Sequence, residues 1–504
     1  MVMIFMALLF ALGSGITLLV FPDFFFFRRS AAVNSAIHLA NAGVQEALAK
    51  LNNGSIPADN STTGTPYTFS SRTSIVPVTY GSYSVSVRQI NTGDGGIPAF
   101  QITSTSTLNT NPQIGKQVQA VARIASLSDY MSFTNQELSG DSYGPSDVIE
   151  GPIRSNDNIN IWFSDTPVGS PPVSGKPLFK STVASAQNLI WTLGTPPTAS
   201  QYNEMFTEGS AAAQSGAASI AWPVSNNFSS AFAAPRQTAL GSNSPSADGL
   251  YLSSGGGIYT QGIGEVIFSL NSGNQVMNFL QSDKINWEVT LLPQSNSCSV
   301  HYVNTTAGSQ ANTTNTYNYL PKPVVYCARW NNAANNWGGV KLSGTVKWQG
   351  TLYCEGDANY DGGVFINDNL VEDIDNDGAL EDGEGKLGIV SSRVYLSSKT
   401  PVNTIVQASI VGTENASYGN ATSGVRGSFG VASGPVIQDR GALNLTGSMF
   451  LKNQGVVKSS YRFSTRNFKY DQRLNFSPPP YFPTQAFFPG AANPYSIRLW
   501  KMIR

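Results

Sequence analysis

The chain has 504 residues, a formal net charge of −1 and only 12% charged residues, against roughly 25% in ordinary globular domains. No basic stripe runs through it, so nucleic acid has no electrostatic footprint here, and the absence of any Cys-x-x-Cys argues against zinc and thioredoxin-type chemistry. The length allows two to four domains or one elongated domain of repeating layers, and a polar fraction made mostly of Ser, Thr, Asn, Gln and Gly points to a β-rich protein facing the outside of a cell.

Residues 1–22 carry no charge, and about twenty apolar residues span a bilayer's hydrocarbon as a helix. No basic residue precedes the run, and Asp23, four phenylalanines and Arg28-Arg29 follow it. That is a poor exit for a cleaved secretory signal. The expectation is a membrane anchor. The Arg pair would favour a cytoplasmic body by the positive-inside rule, but long domains translocate largely regardless of charge, and the body is placed outside. Residues 30–51 continue as an Ala-rich helix with a stripe at Val33, Ile37, Ala40, Val44, Leu48 and Leu51, the spacing of three and four that marks one helical face. Asn52-Asn53-Gly54 stops it. From 1 to 51 the helix is roughly 75 Å long, and Pro22 is expected to bend it or open its hydrogen-bond ladder.

The stretch HLANAGVQEALAKLN, residues 38–52, resembles the end of the N-terminal helix of PilX-type pilin-like proteins, minor components of type IV pili and secretion pseudopili. The resemblance covers about the first fifty residues. Position 5 is Phe5, where pilins usually carry a glutamate, and no leader peptide is visible. The resemblance implies an inner-membrane location with a periplasmic or extracellular body, incorporation in a pilus, and other pilin-like subunits as partners through the N-terminal helix.

After this helix, taken as 1–54, a region 55–125 begins with a Ser/Thr/Asn/Pro-rich loop over 55–75. Three stretches then alternate with period two: 80–88, 99–108 and 117–125. They predict antiparallel strands of a small sheet. Over 126–485 the unit is a short strand, then Gly or Asn, then another short strand. This predicts a mainly β protein with a long N-terminal helix and an ectodomain built as a short-strand β-solenoid or stacked sheets. Helix-compatible islands interrupt it near 199–206 and 276–287, and 486–504 reads as a C-terminal tail. The blocks SDYMSFTNQEL, DVIEGPIRSNDNINI, GTLYCEGDA, GKLGIV and FKYDQRLNFSPPPYFPT resemble a DUF4900-like bacterial family, whose members pair a PilX-like helix with a β-rich ectodomain. That resemblance implies location and architecture and no reaction.

The insert 356–385 carries definite chemistry. Asp373, Asp375, Asp377, Gly378 and Glu384 match the EF-hand calcium loop at every specified position. A hard dication takes six to eight oxygens at about 2.3–2.6 Å. Alternate residues of a tight loop supply them, with the Ala379 carbonyl, Glu381 directly or through water, and a bidentate Glu384 completing the set. Upstream, Asp357, Asn359 and Asp361, ending at Asp368, resemble a dockerin-type loop. The expected cofactor is Ca²⁺, stiffening an insert between two strands, with a solvated acidic turn as the alternative.

Candidates for catalysis are sparse. His38 lies in the helix beside its apolar stripe. His301 follows Cys298 by three residues, a spacing that a Cys/His dyad and plain strand alternation explain equally. Cys298, Cys327 and Cys354 allow one disulfide; Cys298 and Cys327 flank a polar loop and form the expected pair, with three buried thiols as the alternative. The reading is a structural, non-enzymatic pilin-like subunit at the tip of, or adhering from, a pilus. A membrane-anchored, calcium-dependent polysaccharide-binding or lyase-like surface protein is the runner-up, with Arg393 or Arg426 as possible bases and surface polysaccharide as a further partner.

Overall fold

The computed structural model describes residues 2–56, 66–70, 81–90, 99–124, 126–137, 142–168, 173–191, 196–220, 222, 231–328, 339–355, 363–397, 399–413, 429–431, 440–453, 463–484 and 495–503, with side chains of 2–25 described only at Met3 and Met6. The protein is mainly β with one long N-terminal helix and several sheets. It divides into two compact units, one made of 1–92, 98–125 and 493–504, the other of 93–97 and 126–492.

In the first unit, helix α1 runs unbroken over Val2–Asn52, through Pro22. Its stop is a Schellman motif: the Ser55 N–H donates to the Lys50 carbonyl at 2.9 Å and the Gly54 N–H to that of Leu51 at 3.3 Å, with Gly54 in the left-handed region at φ +72°. Among the described residues no helix is long and apolar enough to cross a membrane; of the apolar run 1–22 only the side chains of Met3 and Met6 are described. The second half of α1 packs on a five-stranded antiparallel sheet. Its strands are β1 (Tyr67–Ser70), β2 (Gly81–Gln89), β3 (Ala99–Leu108), β4 (Asn111–Ile124) and a C-terminal strand Tyr495–Met502. The three alternating stretches are β2, β3 and β4. Two expectations are corrected. Part of the 55–75 loop is strand β1, and the tail supplies the fifth strand, paired antiparallel with β4. The tail also ties to the helix, since the Trp500 indole N–H donates to Asn41 Oδ1 at 2.8 Å.

The buried face of α1 is centred about one residue away from the expected stripe, on Ala36, Leu39, Ala40, Val44, Ala47 and Leu51, while Val33, Ile37 and Leu48 flank it half-buried and His38 is exposed. Contact with the sheet selects small residues rather than the largest apolar ones. Gly43 shows why. A Cβ there would lie 2.3 Å from Ser104 Oγ and 2.9 Å from the side chains of Tyr83 and Val85. Ser106 Oγ donates to the Ala36 carbonyl at 2.7 Å, which needs the same close approach.

The second unit is a stack of parallel strands. In register lie Ile258–Gln261, Val324–Ala328, Gln349–Cys354, Lys386–Ser391, Ile405–Gly412 and Ala442–Asn453, then Ser132–Gln136, Ile153–Ser155, Val183–Ser185 and Ala213–Gln214. Lys386–Ser391 and nearly all of Ile405–Gly412 are buried on both faces, which removes the in–out alternation of a half-buried strand. One face stacks Ile258, Val325, Leu352, Ile389, Ile410 and Met449 in the main core. The other stacks Tyr259, Tyr326, Tyr353, Val390, Val411, Phe450 and Phe133 in a second core. There the rings of Tyr259 and Tyr326 lie 6.0 Å apart at 3°, and those of Phe133 and Phe450 4.3 Å apart at 13°. Helix Ala233–Leu240 and the segment around Phe482 cover this second face. The Pro-Pro-Pro-Tyr-Phe-Pro block therefore has a structural task. The Tyr353 hydroxyl donates to the Tyr481 carbonyl and that of Thr351 to the Pro480 carbonyl, both at 2.6 Å.

The stack does not follow chain order. The N-terminal segment of this unit joins it beyond Ala442–Asn453, so one layer is composite: Thr465–Tyr470 pairs with 442–447 of that strand, while Ser132–Gln136 pairs with its far half. Thr465–Tyr470 is in turn paired with Val148–Glu150. A buried ion pair clasps the two remote segments. Arg466 Nη2 lies 2.6 Å from Asp147 Oδ2, with side chains 3% and 0% exposed, and the guanidinium covers the Tyr143 ring at 4.8 Å.

Of the two helix-compatible islands, 199–206 is the helix Ala199–Met205, closed by a Thr198/Gln201 capping box. The other, 276–287, is β: it falls on Asn274–Ser282 and Ile285–Leu292, adjacent arms of an antiparallel meander. Pairing on both sides overrides its helical propensity. The Cys298–Cys327 disulfide is likewise corrected. All three thiols are free and buried; Cys298 and Cys327 do not meet, since Cys298 lies on the meander, facing Leu291 and Tyr317, whereas Cys327 lies in the parallel stack.

Two substitutions test this description. Gly43→Val is expected to destabilise the first unit by about 2 kcal/mol or more, as overpacking does, despite better helix propensity; a lower melting midpoint with lost hydrogen-exchange protection in β2 and β3 would register it. Asp147→Ala strands a buried guanidinium and is expected to cost about 3–5 kcal/mol, read by chemical denaturation, whereas replacing the exposed Glu208 costs nothing measurable.

Candidate metal centre

The acidic loop joins two strands of the stack, Val364–Val371 and Lys386–Ser391. Its start is fixed by Gln407, whose Oε1 accepts the Glu372 and Asp373 N–H groups, the latter at 2.9 Å. The loop then winds on its own carboxylates. Asp373 accepts from the Asn376 N–H at 2.6 Å and the Gly378 N–H at 2.9 Å. Asp377 Oδ1 accepts from the Ala379 N–H at 2.8 Å. Glu384 accepts with both oxygens, from Ile374 at 2.8 Å and Glu381 at 2.9 Å. Gly378 has φ +86°, the turn the sequence motif assigns to it.

This winding brings the predicted carboxylates together in two overlapping groups of three. Oxygens of Asp373, Asp375 and Asp377 lie within 4.8 Å of one another, as do those of Asp375, Glu381 and Glu384. Asp375 belongs to both groups, so the two triads adjoin at its carboxylate. Asp373 and Glu384 are buried, the other three and Ala379 exposed, which leaves one side open to solvent. The crowding has an electrostatic signature. The Glu381 carboxyl is held above the ordinary range, by desolvation and then by repulsion from Asp377, Glu384, Asp375 and Asp373. A divalent cation would relieve that repulsion. The donor set is all oxygen, which suits Ca²⁺ and gives Mg²⁺ less reason to surrender its waters.

The upstream loop is different. Asp357, Asn359 and Asp361 lie outside the described residues. Asp368, expected to close a twelve-residue loop, is on the strand Val364–Val371, its Oδ1 bonded to the Asn369 N–H at 2.7 Å. Parallel pairing of Val364 with Val340 and Val394 fixes this segment as strand, so the loop expected over 357–368 does not extend to Asp368.

Sequence reading missed the groups behind the loop. Arg473, brought in from the C-terminal region, donates to the carbonyls of Glu381 at 2.9 Å and Gly385 at 3.0 Å, to Glu372 at 2.8 Å and to Asp471 at 2.9 Å. Glu372 also accepts the Leu387 N–H at 2.5 Å. Burial pushes the Glu372 carboxyl up to about 8, against the pull of Arg473 and of that N–H. The signal was present in the Tyr470-Asp471-x-Arg473 block, but nothing local says that its arginine reaches the acidic insert.

The other candidates are not brought together. Cys298 and His301, three apart on one strand, fall on opposite faces; His301 Nδ1 meets Thr314 Oγ1 at 2.9 Å. Arg393 is buried and Arg426 lies outside the described residues. Comparison of the chain with family models, curated proteins and solved structures finds no match.

Arg473→Met is expected to destabilise the fold by about 3–5 kcal/mol, since two buried carboxylates lose their partner, and to raise hydrogen exchange across 372–387. Arg473→Lys should recover only part of this, because an ammonium cannot reproduce the planar fork that reaches four acceptors.

Proposed function

We propose that this protein is a structural, membrane-anchored, pilin-like component of a type IV pilus or pseudopilus-like system, with a calcium-stabilised ectodomain that serves as a tip or adhesion subunit. The observation that carries the reading is α1: a helix of 51 residues whose second half packs on a small antiparallel sheet and whose first half holds the uncharged apolar run that ends at Pro22. A helix of this kind would present its apolar half to a bilayer or to the same helices of neighbouring subunits. The exposed Phe26 and Phe27, 72% and 73% accessible, support a partner on that face. The body is read as a short-strand β-solenoid on the strength of its in-register parallel stack. Ca²⁺ at Asp373, Asp375, Asp377, Ala379, Glu381 and Glu384 would stiffen the loop between two of its layers. The polysaccharide-active alternative gains nothing specific: beside the acidic loop, Arg473 and Lys386 are buried and bonded to protein groups rather than set along an open groove.

Fractionation tests the anchor. The full chain is expected in the membrane or filament fraction, and removal of residues 1–27 is expected to release it; a truncated chain still in the membrane pellet overturns the anchor. For the metal, Ca²⁺ at a hundred times its Kd is expected to add about 2.7 kcal/mol of stability, read as a higher melting midpoint that chelator abolishes. The combined Asp373→Ala and Asp377→Ala variant should lose this response. An identical midpoint with Ca²⁺ and with chelator in the unaltered chain rejects the site.

A further inference from the structure

We propose that Cys327 and Cys354, both free thiols in this structure, are a disulfide-forming pair under oxidising conditions, and that Cys298 stays a free thiol. The two residues are in-register partners on adjacent parallel strands, Val324–Ala328 and Gln349–Cys354. Neighbouring strands lie about 4.7–4.9 Å apart, inside the roughly 4.4–6.8 Å between Cα atoms that a disulfide spans. In-register side chains of a parallel pair point to the same face. Here that face is the main core, where both cysteines sit at 1% exposure, each two residues beyond another core residue, Val325 or Leu352. The layers above and below place Thr260 against Cys327 and Ser391 against Cys354, so each thiol has the other as its only cysteine neighbour along the column. Cys298 has no such neighbour: its partners are Leu291 and Tyr317.

The chemistry is thiol–disulfide exchange. With glutathione disulfide as oxidant, the thiolate of one cysteine attacks a glutathione sulfur and releases one glutathione thiol. The thiolate of the other then attacks the resulting mixed disulfide and releases the second. Two protein thiols give up two protons and two electrons, and one glutathione disulfide becomes two glutathione thiols. Burial pushes the Cys327 thiol up to about 12 and the Cys354 thiol well above its ordinary value, so little thiolate exists once the core has closed. The bond therefore forms while the chain folds, before these two layers are sealed. It would join consecutive layers of the stack.

The test is peptide mapping of the full chain refolded in detergent with a mixture of reduced and oxidised glutathione, then quenched by alkylation. The expected result is a peptide pair linked through Cys327 and Cys354, with Cys298 alkylated. The same linkage is expected in Cys298→Ala and is lost in Cys327→Ser. Linkage of Cys298 to either of the others overturns the proposal, as do three alkylated cysteines in the unaltered chain or loss of the 327–354 linkage in Cys298→Ala. The mapping of the unaltered chain decides the matter even where Cys327→Ser does not fold.

Discussion

Stacking of parallel strands in strict register governs the second unit. Because each residue lies directly against its counterpart in the next layer, a side chain suitable in one layer must be suitable in all of them. Ile, Val, Leu, Ile, Ile and Met succeed each other on one face, and Tyr, Tyr, Tyr, Val, Val, Phe and Phe on the other. Each fully buried aliphatic side chain contributes roughly 1.5–3 kcal/mol, and a slip of one residue would exchange the two faces. Where a layer must approach another more closely than a side chain permits, glycine intervenes. At Gly447, with φ +149°, a Cβ would lie 1.9 Å from the Ala408 carbonyl oxygen.

The composite layer has an energetic consequence. A stack built in chain order adds each layer to its predecessor through local contacts. Here Ser132–Gln136 has Ile153–Ser155 on one side and, on the other, a strand more than three hundred positions later, so the chain closes a long loop before that second contact repays it. Two buried arginines from the same C-terminal region secure what the topology leaves remote. Arg466 holds Asp147 of the entering segment, and Arg473 holds the acidic loop through Glu372 and two carbonyls. Neither pair is a cheap source of stability, since taking the charges out of water offsets much of their attraction. Their value is in specifying which distant segments meet.

The acidic loop inherits its rigidity from this arrangement. Its carboxylates are wound by short-range backbone hydrogen bonds, and the bonds of Gln407 and Arg473 fix its two ends to the stack. A loop so held gathers its carboxylates in advance, which would lower the ordering cost of the cation proposed for it.

Local chemistry determined several features of this protein unaided. The Asn-Asn-Gly stop of α1, the period-two alternation of β2, β3 and β4, the Thr198/Gln201 cap and the spacing of Asp373 to Glu384 depend on residues a few positions apart, so their outcome is written in a short window of sequence. Tertiary structure decided the rest. It recruited 495–502 as the fifth strand of the sheet, centred the buried face of α1 on alanines and Gly43, turned 276–287 into a hairpin arm and kept Asp368 on a strand. It also placed Cys327 against Cys354 rather than Cys298, and brought Arg473 to Glu372. The deciding partner is far along the chain for the C-terminal strand, for the face of α1 and for Arg473. Antiparallel pairing with adjacent strands decides 276–287, and register between parallel strands decides Asp368 and the Cys327–Cys354 neighbourhood. None of these contacts has a signature in a short window of sequence.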